Sequence, residues 1–220
     1  MYKRRDCISS TVIAHRLTVS IILILTTLNT ISCTSNQSSP GHSIKEPHDT
    51  ESSLKIVIYT DFECGACGKF NLEIEPYLRE FEAAGNAHIE IRLVGALSEE
   101  SLYAAEVALC ATDQGKFLEY HDALFQATRQ NEDVVYSQEK LIDLAGSLGL
   151  DVQALQKCLD SGTKKPELEE NMEMAGIDSI RMLPTVFING IKIEGFKSLD
   201  TYINVIDGVL AQGKIDTGEN

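Results

Sequence analysis

The chain has 220 residues, 43% of them hydrophobic, and a formal net charge of −14 at neutral pH. That length suits one sizeable core and not two large domains. The acidic balance argues against a nucleic-acid partner, because phosphate binding needs a basic patch and the lysines and arginines here are scattered among more numerous carboxylates.

The chain opens with Lys3, Arg4, Arg5 and Arg16 and then the apolar stretch LTVSIILILTTLNTIS, Leu17 to Ser32. Basic start, apolar core and small residues are the order of an export signal, and the stretch is short for a membrane span; residues 1–32 are expected to be a signal peptide. TISC, Thr30 to Cys33, is similar to a bacterial lipoprotein cleavage box, with Thr30 where Leu is usual. On that reading Cys33 carries a lipid anchor at the outer face of the membrane or in the periplasm; otherwise the protein is simply secreted or keeps an uncleaved anchor. Residues 33–53 are rich in Ser, Pro, Gly and charge, and read as a disordered tether. His42 and His48 in it have no Cys or His at ligand spacing and read as loop histidines.

LKIVIYT, from Leu54, is a nearly continuous β-branched and aromatic run, the mark of a strand buried on both faces. It leads into YTDFECGACGKF, which holds Cys64 and Cys67. Beyond them Phe70, Ile74, Tyr77, Leu78 and Phe81 follow helical spacing, with Pro76 expected to kink the helix and Gly85 to stop it. HIEIRLV, His88 to Val94, alternates like a half-buried strand, and strand, helix, strand implies parallel pairing. Ser98, Ser137 and Asp151 read as helix caps over a long helical stretch. Within it Phe117, Tyr120, His121, Leu124 and Phe125 form an apolar stripe, and His121 is expected to be a packed side chain with one hydrogen bond rather than a base. TVFINGIKIEG is a hairpin turning at Asn189-Gly190, and SLDTYINVIDGVL closes the chain as an amphipathic helix.

Six cysteines are present: Cys7, Cys33, Cys64, Cys67, Cys110 and Cys158. Cys7 leaves with the leader and Cys33 carries lipid, so an even number remains, which in an exported protein suggests two disulfides. Placed at the start of a helix, Cys64 faces unpaired N–H groups and the helix dipole, which favour a thiolate, and Cys67 lies about one turn on. Cys64 is therefore expected to be the attacking sulfur and Cys67 the resolving one. Half of a metal site and a merely structural bridge are the competing readings; a structural zinc site would need a second ligand pair, and Cys110 and Cys158 stand alone. No cofactor or metal is expected. Asp61 and Glu63 flank the pair and are candidates for proton transfer, although a carboxylate there also disfavours the thiolate.

Together YTDFECGACGKF, ALCATDQGKFLEYHDALF and LPTVFINGIKIEG resemble the DsbA-like branch of the thioredoxin superfamily, exported thiol:disulfide oxidoreductases with a helical domain inserted into the thioredoxin fold. The resemblance covers Leu54 to Gln212. It implies an α/β fold with a mixed central sheet: thioredoxin-fold halves at 54–97 and 177–213, inserted helices at 98–176, and a flexible tail at 214–220. It also implies that Cys64 and Cys67 are the redox pair, that Pro184 is the cis-proline facing them, and that Cys110 and Cys158 form a structural disulfide. Gly65-Ala66 stands where many strongly oxidising members carry Pro with His or an aromatic, and Leu183 where Thr or Val is commoner; both positions adjoin the sulfurs and tune thiolate stability. The implied activity is disulfide formation in unfolded or reduced exported polypeptides, with a quinone-linked DsbB-like or VKOR-like membrane protein as reoxidant. The alternatives are a reductase or isomerase of the same fold, and a metal carrier or peptide-binding module. No dimerisation segment is visible, and a monomer is expected.

Overall fold

The computed structural model describes residues 53–130 and 136–216. The expected signal peptide, Cys33, His42, His48 and nearly all of the expected tether lie outside the described residues. Strand β1 (Leu54–Thr60) is followed by helices α1 (Gly65–Glu73) and α2 (Glu75–Ala83), then strand β2 (Ala87–Leu93). Five helices come next: α3 (Glu99–Thr112), α4 (Phe117–Gln130), α5 (Gln138–Ser147), α6 (Val152–Ser161) and α7 (Lys165–Ile177). The hairpin β3 (Thr185–Ile188) and β4 (Ile191–Glu194) and the helix α8 (Leu199–Asp216) complete the fold. Helix α8 thus enters the stretch expected to be tail, of which 217–220 lie outside the described residues.

The sheet order is β2-β1-β3-β4, with β1 parallel to β2 and antiparallel to β3. A central strand must bury both faces, and the alternation of β1 does so. Leu54, Ile56 and Ile58 pack with Phe70, Ile74, Leu78, Tyr202 and Ile206 from α1, α2 and α8. Val57 and Tyr59 point the other way, against Ala175 and Met174 of α7. The inserted helices have their own core around Ala108, Leu124, Phe125, Leu141 and Leu155, and it reaches Phe62 and Cys67 beside the dithiol.

Local sequence explains most element ends. Ser98, Ser137 and Asp151 cap α3, α5 and α6 by accepting backbone N–H groups of their first turns. The kink expected at Pro76 is a full break at Ile74, with the proline in the first turn of α2, where its missing N–H has no intrahelical partner to lose. Asn189 and Gly190 both have positive φ, and the Asn189 side chain accepts from the Lys55 N–H at 2.7 Å, fixing the hairpin against β1. Among the described residues no helix is long and apolar enough to cross a membrane.

Candidate active site

Strand β1 ends at Thr60, and Asp61 to Glu63 carry the chain into α1. Cys64 is the N-cap of that helix. Its N–H donates to the Asp61 carbonyl at 3.1 Å, and its own carbonyl accepts from Cys67 and Gly68. Its sulfur accepts the Cys67 N–H at 3.3 Å and lies 3.6 Å from the Leu183 carbonyl oxygen. Both cysteines are free thiols; Cys64 is half-buried and Cys67 is fully buried. The Leu183-Pro184 peptide bond is cis, and the loop before β3 faces the N-terminus of α1, with the Leu183 carbonyl against the Cys64 sulfur.

This geometry splits the two acidities. A hydrogen bond from the Cys67 thiol is the largest influence on Cys64; burial opposes it, backbone N–H groups of Cys67 and Ala66 reinforce it, and the charge of Asp61 opposes it. The result is a thiol pulled down to about 7. Burial is the largest influence on Cys67 and pushes its thiol far up, outweighing the Asp61 backbone N–H and the Thr60 hydroxyl that would stabilise its anion. The pair therefore holds one ready thiolate, on Cys64, and one proton, on Cys67.

The loop under Cys64 is tied to the inserted helices. Asp61 is 1% exposed and accepts from the Ser101 hydroxyl (2.6 Å), the Ala96 N–H (2.9 Å) and the Glu63 N–H (3.0 Å). Glu63 accepts from the Ser98 hydroxyl at 2.6 Å. Both carboxylates thus hold the start of α3. From the other side the Tyr136 hydroxyl donates to the Phe62 carbonyl at 2.5 Å. Reading the sequence alone missed Tyr136, Ser98, Ser101 and Thr60 as partners of this loop. Tyr136, Ser98 and Ser101 are ordinary polar residues whose partners lie across the fold, and only Ser98, through its capping pattern, carries any local signal; Thr60 is near in sequence but reads as a strand-end residue.

Cys110 of α3 and Cys158 of α6 form a disulfide with Cα atoms 5.9 Å apart. His121 is fully buried among Phe62, Phe117 and Phe125. The expectation of one hydrogen bond is replaced by a cluster. Its Nδ1 lies 3.3 to 3.4 Å from Asn71, Arg79 and Asp122, while its Nε2 has no partner among the described residues. Glu75, His121 and Asp122 could together offer metal ligands, but the Arg79 guanidinium already pairs with both carboxylates, so the group is an ion-pair cluster joining α2 to α4.

A four-stranded mixed sheet that presents a dithiol at a helix N-terminus opposite a cis-proline, with helices inserted after β2, defines a thioredoxin-like thiol scaffold. A family model described as Thioredoxin matches residues 49–208. The chain belongs to that thioredoxin family. It is 27% identical over 161 residues to the Na(+)/H(+) antiporter NhaA 1 of Salinispora arenicola, covering 73% of this chain and 24% of that protein. It thus spans about a quarter of the length of the antiporters among its relatives. The disulfide bond formation protein D of Bacillus subtilis is 24% identical over 162 residues, which cover 71% of this chain and 72% of that one. The crystal structure of alpha-DsbA1 from Wolbachia pipientis superposes with a TM-score of 0.67 at 20% identity, over 77% of this chain and 92% of that one.

Proposed function

We propose that the protein is an extracytoplasmic thiol:disulfide oxidoreductase that forms disulfides in exported polypeptides through Cys64 and Cys67. The observation that carries the exchange chemistry is the division of labour at the site: a half-buried N-cap thiol pulled down to about 7, with a buried thiol one turn behind it; the direction, disulfide formation, is supported by the printed name of the Bacillus subtilis relative. In the oxidised enzyme a client thiolate attacks the Cys64 sulfur. The Cys64–Cys67 bond breaks, a mixed disulfide forms, and Cys67 leaves as a thiolate and takes up a proton. A second client thiolate then attacks the client sulfur of the mixed disulfide and releases Cys64 as a thiolate, the better leaving group of the two. The client loses two electrons and the dithiol gains them. Run backwards, the same steps make Cys64 the attacking sulfur and Cys67 the resolving one.

Asp61, whose two oxygens accept from Ser101, Ala96 and Glu63, and Glu63, whose Oε2 accepts from Ser98, act here by position, holding the loop under Cys64 against the start of α3. The Leu183-Pro184 loop lends its backbone to the client chain beside the sulfur, and the Cys110–Cys158 bridge staples the inserted helices. Export and a lipid anchor at Cys33 belong to the same proposal, supported by the sequence of the leader; a monomeric state and a quinone-linked DsbB-like or VKOR-like reoxidant belong to it by analogy with the family the sequence resembles.

One observation favours a second reading. A Cys64 thiol near 7 resembles that of reducing thioredoxins more than the roughly 3.5 of the strongest oxidants, which suits a milder couple working as reductase or isomerase. Equilibrating the couple against glutathione decides between them. A potential above about −200 mV supports the oxidase, and one near −270 mV overturns it in favour of the reductase.

A further inference from the structure

A recess of about 500 Å³ opens beside Cys64, where α1 faces the end of α4. Helix α1 and its N-cap give it one wall, made by Cys64, Gly65, Gly68, Lys69 and Glu73, and their spacing of three and four residues puts them on a common face. The two glycines keep that wall open. A Cβ at Gly65 would meet nothing within 4 Å, and one at Gly68 would meet the Arg129 Cγ at 4.0 Å, so the arginine stem lies over the start of α1.

Charges of both signs line this recess: Glu63, Lys69, Glu73 and Arg129. Among the described residues none of the four forms an ion pair. Lys69 and Glu73 stand one turn apart on α1, but lysine before glutamate is the weaker order for a helical pair. The Lys69 Nζ instead lies 4.4 Å from the centre of the Phe196 ring, a contact that steadies the ammonium without neutralising it. Acidic and basic groups held close together, and not spent on one another, match a ligand that itself carries both signs. Beside a reactive sulfur, that ligand is a small disulfide with an ammonium and a carboxylate on each half. Length narrows the choice. A single amino acid holds both charges on the cysteine Cα, whereas Lys69 stands about 7.5 Å beyond Cys64 along the helix axis. A tripeptide with cysteine at its centre carries its charged ends one Cα step further out, about 3.8 Å on either side. In a long polypeptide the chain ends are remote from the cysteine.

We infer that this recess seats the disulfides of short, free-ended cysteine peptides, and that the protein draws oxidising equivalents from them directly. The carboxylate end lies toward Lys69 and Arg129 and the ammonium end toward Glu73. The Cys64 thiolate attacks one sulfur of the peptide disulfide; that S–S bond breaks, a mixed disulfide with Cys64 forms, and the first peptide leaves as a thiolate that takes up a proton from water. Cys67 then attacks the Cys64 sulfur, its proton passing to solvent, and releases the second peptide as a thiolate. The dithiol loses two electrons and the peptide disulfide gains them. This inference rests on the exchange activity proposed above and adds a soluble source for its disulfide.

The test uses the reduced protein and the disulfides of four Gly-Cys-Gly peptides, with both ends free, the N-terminus acetylated, the C-terminus amidated, or both ends blocked. The free-ended and fully blocked forms have the same net charge, so comparing them separates paired recognition from general attraction. Each oxidation rate, followed by mass spectrometry, is divided by the same disulfide's rate with dithiothreitol, which removes differences in intrinsic reactivity. The free-ended disulfide should react about fivefold faster than the fully blocked one, the scale of two exposed ion pairs, with the half-blocked forms between. Lys69 and Arg129 are both exposed, so replacing them leaves the core untouched. In the double variant Lys69→Gln, Arg129→Gln the ratio should fall below about twofold; being internal to one protein, it is not moved by a change in the Cys64 thiolate itself. Equal rates for all four disulfides, or a full ratio retained in the variant, overturn the inference while leaving the exchange activity intact. Failure of these disulfides and of oxidised glutathione to oxidise the dithiol, together with failure of the oxidised protein to exchange with any cysteine peptide, overturns both.

Discussion

The bridge between Cys110 and Cys158 closes a loop of 48 residues that contains α4, α5 and most of α6. In the chain-entropy model a loop of that length removes about 14 cal/mol/K from the unfolded ensemble, or about 4 kcal/mol at room temperature. Cys110 is 2% exposed in the core of the inserted helices, so replacing both cysteines with alanine also leaves a small void there, adding about 1 kcal/mol. With a urea dependence of about 2 kcal/mol/M, the double variant Cys110→Ala, Cys158→Ala should lower the urea midpoint by about 2.5 M. The assay is equilibrium urea unfolding followed by far-ultraviolet circular dichroism without reductant, so that the Cys64 and Cys67 couple is the same in both proteins. A shift below about 0.5 M would refute the reasoning, since it would mean that the unfolded chain is not restrained by the bridge.

Three further outcomes follow from the site and the ion-pair cluster. In Cys67→Ala the largest influence lowering the Cys64 thiol is removed while the helix N–H donors stay, so the pH midpoint of Cys64 alkylation should rise from about 7 toward the ordinary value near 8.5. Asp61→Asn removes a charge that raises the Cys64 thiol but leaves one of the three donors to this buried side chain without an acceptor; the midpoint should fall and stability should drop by about 1 to 3 kcal/mol, read by alkylation and by urea unfolding. Arg79→Ala strands the carboxylate of Glu75, whose side chain is 2% exposed, and should lower stability by about 3 kcal/mol at neutral pH. Burial opposes ionisation of Asp122, yet hydrogen bonds from His121, Arg79 and Asn71 hold its carboxyl well below the usual range. Its contribution is therefore present above the unfolded value near 3.9 and is lost as pH falls, and urea midpoints measured across that range should fall less steeply in Arg79→Ala.

What the sequence makes legible is mostly local. The apolar run of β1, the turn at Asn189-Gly190 and the capping residues Ser98, Ser137 and Asp151 each fix a few neighbouring dihedrals, and the structure uses them as the pattern suggests. The position of Cys64 at a helix start is of the same kind. The rest depends on partners distant in the chain. That Val57 and Tyr59 face α7 cannot be read from a strand whose two faces are equally apolar. Asp61 looks like a strand-end carboxylate until Ser101 and Ala96 are brought to it by the turn after β2. His121 fits its apolar stripe, but its cluster with Asn71, Glu75, Arg79 and Asp122 joins three helices, and no spacing in the sequence encodes it. The pairing of Cys110 with Cys158 was implied by family resemblance and not by spacing.

The most direct measurement is the pH titration of Cys64 in the reduced protein, by alkylation rate and by thiolate ultraviolet absorbance. Since the folded thiol titrates below its unfolded value, the thiolate should stabilise the reduced fold fully above the unfolded value near 8.5, and that stabilisation should be lost as pH falls through about 7. A single midpoint near 7 is expected, assigned to Cys64 by mass spectrometry, with Cys67 unmodified throughout. A midpoint at or above 8.5, or modification of Cys67 at a comparable rate, would contradict it.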